Sequence, residues 1–309
     1  MTEERKGRSG EQRPVRGRFA PSPTGPLHLG HAQTLLLAWL QVRALDGQFV
    51  LRIEDIDRER ERPGATDAIV RDMEWLGFDW DEGPGCGGPA GPYLQSERLE
   101  LYEQTLERLH PRCYPCVCSR KDVREAAGAP HGGELPYPGT CRQGRSSAQR
   151  SSLRIRVDSE EISWDDLWLG PQAEDPSEIC GDFIVRSKNN RPVYQLACVV
   201  DDIAMDITHV LRGEDLVSST SRQLLLYRWL GAPAPWFAHT PLRRDEAGQR
   251  LAKRRGSPAL SELREAGAHP EQLIGTLAHG LRLIAEPTPL RPEALVTRLK
   301  RARPKLLHR

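Results

Sequence analysis

Two histidines spaced i and i+3, in His28-Leu29-Gly30-His31, follow Arg18-Phe19-Ala20-Pro21-Ser22-Pro23-Thr24-Gly25 and open a long Leu/Ala-rich run. A strand passing through a proline- and glycine-bearing turn into a helix puts both imidazoles on one face of the helix N-terminus. The first amides of a helix are unpaired and its dipole end is positive, so this place attracts anions. Gly30 has no side chain, which lets a planar ligand approach the backbone. The chemistry is that of a nucleotide phosphate site. Taken alone, the tetrapeptide reads equally well as a cap beside a surface histidine.

Three further clusters carry chemistry. Glu54-Asp55-Ile56-Asp57-Arg58 follows the strand-like Phe49 to Ile53, so its carboxylates lie at a strand's C-terminal end, where open α/β sheets bind ligands. Arg250-Leu251-Ala252-Lys253-Arg254 follows the strand-like Ala238 to Leu242 and a polar turn, Asp245 to Gly248. A basic loop there can neutralise charge building on a triphosphate. Cys116-Val117-Cys118 with Tyr137-Pro138-Gly139-Thr140-Cys141 supplies three thiolates, one ligand short of a tetrahedral zinc site. His131 and Cys113 are of the usual types for the fourth. In isolation these clusters also fit a solvated acidic loop, a solvated basic turn and unrelated thiols.

The elements needed to position these groups are legible. Arg16 to Ala20 and Phe49 to Ile53 read as strands around a helix at Ala32 to Leu45, which Gly47 is placed to end. Thr66 can cap a helix carrying Ile69, Val70, Met73 and Leu76, and Ser96 one carrying Leu99, Tyr102, Leu106 and Leu109. The alternation predicts an α/β fold with a parallel sheet covered by helices. From Cys113 to Ser152 apolar periodicity is lost, as in an insertion held by something other than a core; bound zinc would explain how it folds. Strands return at Leu153 to Val157 and Asp182 to Arg186. Ser219 to Leu230 is a helix closed by Gly231, and helix starts recur at Ser257-Pro258 and His269-Pro270.

Composition bounds the rest. The 309 residues suffice for two domains or one with insertions. Net charge is +1, so bulk charge does not point to nucleic acid. Locally, Arg142, Arg145, Arg150, Arg154 and Arg156 occur together without an acid, and the tail from Arg291 to Arg309 is basic apart from Glu293. Two such stretches favour a phosphate-rich partner. The polar start predicts a disordered tail over 1–15, with no signal peptide. No apolar run approaches a membrane span, so a cytoplasmic protein, without a membrane partner and monomeric by default, is expected. Seven cysteines then argue for thiols or metal ligands over disulfides.

From Arg18 to His31, with Lys253 in its basic loop, the chain resembles the class I aminoacyl-tRNA synthetases of the glutamyl/glutaminyl branch. The basic loop departs from that pattern at Arg250 and Arg254. The resemblance implies a Rossmann-like parallel sheet split as 16–110 and 182–245, a zinc-containing acceptor-like insertion at 111–181, and the lysine loop with a small C-terminal helical module at 246–309. It implies phosphate binding by His28, Gly30, His31 and Lys253, with His28, His31 and Lys253 catalytic and MgATP as substrate. It implies a glutamate pocket of Arg18, Phe19, Ala20, Pro21, Ser22, Glu54, Tyr194 and Arg212. Within it Glu54 holds the α-ammonium, while Arg18 and Arg212 grip the side-chain carboxylate. The short stretch after the loop, and Cys-x-Cys paired with Tyr-x-x-x-Cys, resemble the glutamyl-Q tRNA(Asp) synthetase family. That points to a single structural Zn²⁺ on Cys116, Cys118, Tyr137 and Cys141. It also points to L-glutamate, ATP and tRNA(Asp) carrying queuosine as partners, and to glutamate activation that needs no tRNA. The rivals are a truncated glutamyl-tRNA synthetase charging a tRNA 3′ end, and a non-catalytic, zinc-stabilised RNA-binding paralogue.

Overall fold

The computed structural model describes residues 13–126, 135–144, 150–242 and 258–308. Arg250, Lys253, Arg254, His131, Arg145 and most of the expected N-terminal tail lie outside the described residues.

In chain order the elements are β1 (Arg16–Phe19), α1 (Leu29–Ala44), β2 (Gln48–Leu51), α2 (Ala65–Trp75), α3 (Leu99–Leu109), β3 (Cys113–Cys116) and α4 (Arg120–Ala126). There follow β4 (Ser152–Ile155), β5 (Ile162–Asp166), β6 (Gly170–Glu174), α5 (Pro176–Ile179), β7 (Phe183–Arg186) and α6 (Tyr194–Ala204). The last are β8 (His209–Gly213), α7 (Val217–Trp229), β9 (Trp236–Thr240), α8 (Leu260–Glu265), α9 (Pro270–Gly280) and α10 (Val296–Ala302). Among the described residues no helix is long and apolar enough to cross a membrane.

A six-stranded sheet runs β2-β1-β8-β9-β5-β6, parallel except at the antiparallel β5–β6 edge. The chain leaves β1 for β2 on one side and reaches β8 on the other, so the order reverses between β1 and β8. Such a reversal opens a crevice beyond the strands' C-terminal ends. The helix α1 lies on one face with Leu35, Leu36, Leu37 and Leu40 fully buried. A helix apolar on nearly all sides is a buried one. Gly17 admits it closely, because a Cβ there would stand 2.4 Å from Val42 Cγ2. On the other face, Tyr102 of α3, Leu196 and Val199 of α6 and Leu226 of α7 form a second core.

The C-terminal helices share the core of α1: Leu260, Ile274, Leu277, Leu299 and Leu306 belong to the same cluster as Leu35 and Leu40. Gln41, itself buried, donates to the Leu306 carbonyl at 2.7 Å. A smaller antiparallel sheet, β3-β4-β7, carries the cysteine-rich segment. Among the described residues its cluster is Tyr114, Cys116, Tyr137 and Cys141, with partly buried neighbours.

Several local expectations are corrected. The cap of α2 is Gly64, in the left-handed conformation, and Thr66 lies inside the helix. The cap of α3 is Arg98; Ser96 instead hydrogen-bonds Asp55 through its backbone N–H and hydroxyl. The β5–β6 hairpin, at 162–174, joins the large sheet, and β7 joins the small one. Both pairings depend on residues distant in sequence, which local periodicity does not register.

Docking of α9 is close enough to test. A Cβ on Gly275 would stand 2.2 Å from the Thr288 carbonyl oxygen. G275A is expected to destabilise the protein by about 1–3 kcal/mol, read by denaturant unfolding.

Candidate active site

The crevice between β1 and β8 holds a cavity of about 780 Å³. It is lined by Arg18 and Phe19 at the end of β1, by Ala20 to Ser22 after it, and by His28, Gly30 and His31 at the start of α1. Glu54 and Tyr194 also line it, with Arg212 and Gly213 from β8. The N-terminal motif, the carboxylate after β2 and the two pocket arginines expected from the sequence thus converge on one cavity.

The two histidines build the helix start that they decorate. His28 is the cap of α1, and its Nδ1 accepts the Gly30 backbone N–H at 3.1 Å. His31 Nδ1 accepts the His28 backbone N–H at 3.2 Å, completing a capping box made of imidazoles. The ring centroids lie 3.8 Å apart, with the ring planes tilted by 31°. With Nδ1 accepting, a neutral ring carries its proton on Nε2, so each ring is a hydrogen-bond donor at its outer nitrogen. Donor nitrogens at the positive end of the helix dipole suit a phosphate.

Beneath the pocket lies a buried ion network that sequence reasoning missed. Arg52, fully buried, reaches Asp202 at 2.7 Å, Glu54 at 3.1 Å and Asp201 at 3.7 Å. Arg18 approaches Asp202 at 3.4 Å. Asp201 is also held by Arg98 at 2.6 Å, Gln95 and the Tyr102 hydroxyl. Burial alone would raise the Asp202 carboxyl, but Arg52 and Arg18 outweigh it and hold it below the usual range. Burial pushes Glu54 up, against the opposing pull of Arg52 and Arg18. The available signal was charge inside apolar runs: Arg52 in Phe49 to Ile53, and Asp201-Asp202 in Leu196 to Ile203.

Arg212 is held at every nitrogen. Its Nε–H donates to His239 Nε2 at 2.9 Å, Nη1 to Gln223 at 2.7 Å, and Nη2 to the Thr220 hydroxyl at 3.0 Å. The remaining contacts are longer: Nη1 to the Tyr194 hydroxyl at 3.5 Å and Nη2 to the Leu216 carbonyl at 3.3 Å. One loosely held N–H on each terminal nitrogen is what a bidentate carboxylate needs. Both pocket arginines are buried, which sets aside surface ion pairing.

The stretch at 243–257 lies outside the described residues, but its flanks meet the cavity. Leu242 lines it, with its N–H on Glu214 at 3.2 Å, and Ala259 pairs with His28.

The cysteine site stands apart, in the small sheet. The sulfurs of Cys116, Cys118 and Cys141 lie within 4.8 Å of one another. The Tyr137 hydroxyl oxygen is 3.4 Å from Cys116 Sγ and 3.7 Å from Cys118 Sγ, and it accepts the Cys141 N–H at 2.9 Å. Burial would raise the Cys141 thiol. Hydrogen bonds to it from the Val117 backbone, Tyr137 and Cys118 outweigh burial and bring it down to about 7. Four such donors fit a tetrahedral zinc. Cys113 is outside the group, donating to the Leu109 carbonyl at 3.3 Å. Arg154 is buried against this site, its Nε–H on Cys116 at 3.2 Å and its guanidinium over the Tyr137 ring. Arg142 pairs with Asp158 and Asp182. Arg154 is therefore taken up inside the small sheet rather than presented to a phosphate-rich partner, whereas Arg142 is half-exposed.

The chain matches the family described as tRNA synthetases class I (E and Q), catalytic domain, over residues 14–281. It is 52% identical over 293 residues to the Glutamyl-Q tRNA(Asp) synthetase of Symbiobacterium thermophilum, covering 91% of this chain and 90% of that one. The Glutamate--tRNA ligase of the same organism is 43% identical over 281 residues, covering 85% of this chain and 57% of that protein. The crystal structure of glutamate-tRNA synthetase from Elizabethkingia anophelis superposes with a TM-score of 0.80 at 30% identity, covering 92% of this chain and 65% of that one. The chain thus spans just over half of that ligase and just under two thirds of that structure.

The Asp202 network makes a stability prediction. A carboxyl held low in the folded state contributes fully above the unfolded value, about 3.9, and its contribution is lost as pH falls below that value. D202N leaves Arg52 and Arg18 short of a counter-charge. It is expected to cost about 3–5 kcal/mol at neutral pH and to flatten the acid limb of the stability profile, both read by denaturant unfolding.

Proposed function

Since the chain belongs to the class I tRNA synthetases of the glutamyl and glutaminyl type, and within them to the glutamyl-Q tRNA(Asp) synthetase family, we propose that it activates L-glutamate with ATP, without tRNA, and transfers it to the queuosine base of tRNA(Asp). The carrying observation is one cavity that joins an imidazole-capped helix start to a buried guanidinium fork.

In the first step a glutamate α-carboxylate oxygen attacks the α-phosphorus of ATP in line. A P–O bond forms, the bond to the bridging oxygen breaks, and pyrophosphate leaves with its electron pair. No protein nucleophile is required; positioning and charge stabilisation suffice. His28 and His31 donate to the phosphates at the helix start, and the Gly30 position admits the nucleotide to the backbone. Lys253, with the Mg²⁺ carried by the substrate, meets the pyrophosphate charge. Both flanks of its segment at the cavity support that role. Glu54 binds the α-ammonium, and Tyr194 and Phe19 to Ser22 line the cavity with it.

Arg212, with Arg18 beside it, grips the side-chain carboxylate. Glutamine would bring an N–H where only acceptors are welcome, so the fork selects glutamate. In the second step a hydroxyl of the modified base attacks the adenylate carbonyl carbon, AMP leaves, and an ester forms. The exposed Arg298, Lys300 and Arg301 on α10 are candidate contacts to the tRNA backbone.

The choice of acceptor is supported by the higher identity to the glutamyl-Q relative, 52% against 43% for the ligase of the same organism. The likeness to that ligase favours a second reading, charging of a tRNA 3′ end. Labelled glutamate is expected on tRNA(Asp) only when queuosine is present. Transfer independent of the modification would establish the second reading. Glutamate-dependent ATP–pyrophosphate exchange is expected without tRNA, and K253A should lower it about 10²–10³-fold.

Cys116, Cys118, Cys141 and Tyr137 are assigned to a structural Zn²⁺, which would cross-link a segment with little core of its own. Elemental analysis should find zinc stoichiometric with the chain and absent from C116S. Y137F should release it to a chelator about tenfold or more faster if the phenol is the fourth ligand.

A further inference from the structure

Arg212 is braced from behind as well as offered to the pocket. Its Nε–H points at His239 Nε2, and the ring's other nitrogen, Nδ1, lies 2.5 Å from Asp166 Oδ2. His239 is fully buried and Asp166 nearly so. The second Asp166 oxygen, Oδ1, accepts the backbone N–H groups of Leu169, Trp168 and His239 at 2.9, 3.0 and 3.1 Å. A carboxylate is acceptor-only, so the ring must carry its proton on Nδ1. The lone pair of Nε2 then faces Arg212.

We propose that Asp166 and His239 are positioning residues that hold the Arg212 fork in place by fixing the His239 tautomer, and so set the affinity for the substrate's side-chain carboxylate. The inference rests on the glutamate reading above, in which Arg212 is the carboxylate grip. Neither residue reaches the substrate; each acts through its neighbour. Burial, helped by the charge of Arg212 and opposed by Asp166, holds the imidazole below its ordinary range, so the ring stays neutral and able to accept. In the other tautomer, or protonated, Nε2–H would meet Nε–H of Arg212, donor against donor.

The geometry selects a diagnostic substitution. In D166N the amide oxygen is retained at the Oδ1 position, because three backbone N–H groups require an acceptor there. The amide nitrogen then faces His239 Nδ1 as a donor, and the ring proton moves to Nε2. In a Ser-His-Asp triad the same carboxylate-to-amide change keeps the geometry and leaves the histidine in the wrong tautomer. The change is isosteric, so the fold has little reason to respond. H239Q offers a second handle, because its Oε1 can stand where Nε2 stood and an amide has no tautomer to lose.

Two measurements test the relay. Nitrogen-15 NMR of histidine-labelled protein, with H239Q identifying the resonance, should show Nδ1–H in the native chain and Nε2–H in D166N. In ATP–pyrophosphate exchange, D166N and H239F should raise the KM for glutamate about tenfold while the KM for ATP stays near native. H239Q should keep most of the affinity that H239F loses, and D166N/H239Q should match H239Q. An unchanged tautomer in D166N, an unchanged KM for glutamate, or an equal rise in both KM values with a lower thermal midpoint would each overturn the relay. If the native chain gives no glutamate-dependent exchange, the glutamate reading fails instead, and the tautomer measurement alone decides whether Asp166 governs His239.

Discussion

The Glu54 and Arg18 side of the pocket is built over the buried pairing of Arg52 with Asp202, Asp201 and Glu54. Arg52 follows β2 and the aspartates lie on α6, so the network ties the early part of the chain to the late part beneath the crevice. Taking such charges out of water is expensive, and their mutual attraction offsets the expense only when the geometry is good. The orientation it enforces concerns the groups above it. Glu54 is turned by Arg52, and Arg18 leans on Asp202. A hydrophobic plug of similar volume would hold the layers together without aiming either side chain.

Two modes of preorganisation meet in this crevice. At the start of α1, the helix cap and the candidate ligand-binding groups are the same two imidazoles, so forming the first turn also aims them. At Arg212, the guanidinium is aimed by partners on β9 and α7, with acceptors on all its nitrogens. Groups held by the scaffold need not be ordered again when substrate arrives, which is where electrostatic catalysis gains most.

What was legible in the sequence is what is local. The His28–His31 start, the strand before Glu54, the apolar buried α1 and the Cys-x-Cys pair are all short patterns whose partners lie a few residues away. The pocket arginines were found through family likeness; spacing alone offers nothing to tie Arg18 to Arg212. Arg52, Asp166, Asp202 and His239 escaped because their meaning is relational. Arg52 follows β2 and Asp202 lies on α6, and only the packing of α6 on the sheet joins them, while the sheet order β9-β5 brings Asp166 to His239. The hairpin at 162–174 was missed for the same reason, since its fifth residue, Asp166, is what meets β9. The caps at Thr66 and Ser96 were misplaced because Gly64, in the left-handed conformation, and Arg98 take those positions, while Ser96 serves Asp55.

The central pair of the sheet carries a consequence for synthesis. Arg16 meets Thr208 across 192 residues, so β1 and β2 leave the ribosome long before the strand that covers β1's other edge. At roughly 5–20 residues per second, that edge waits on the order of 10–40 s. During that interval Arg18, on β1 itself, is without Asp202. The nascent chain therefore displays an open strand and an unpaired cation on it together. The charge that later joins the buried network is, until then, a guard against that edge pairing with another chain.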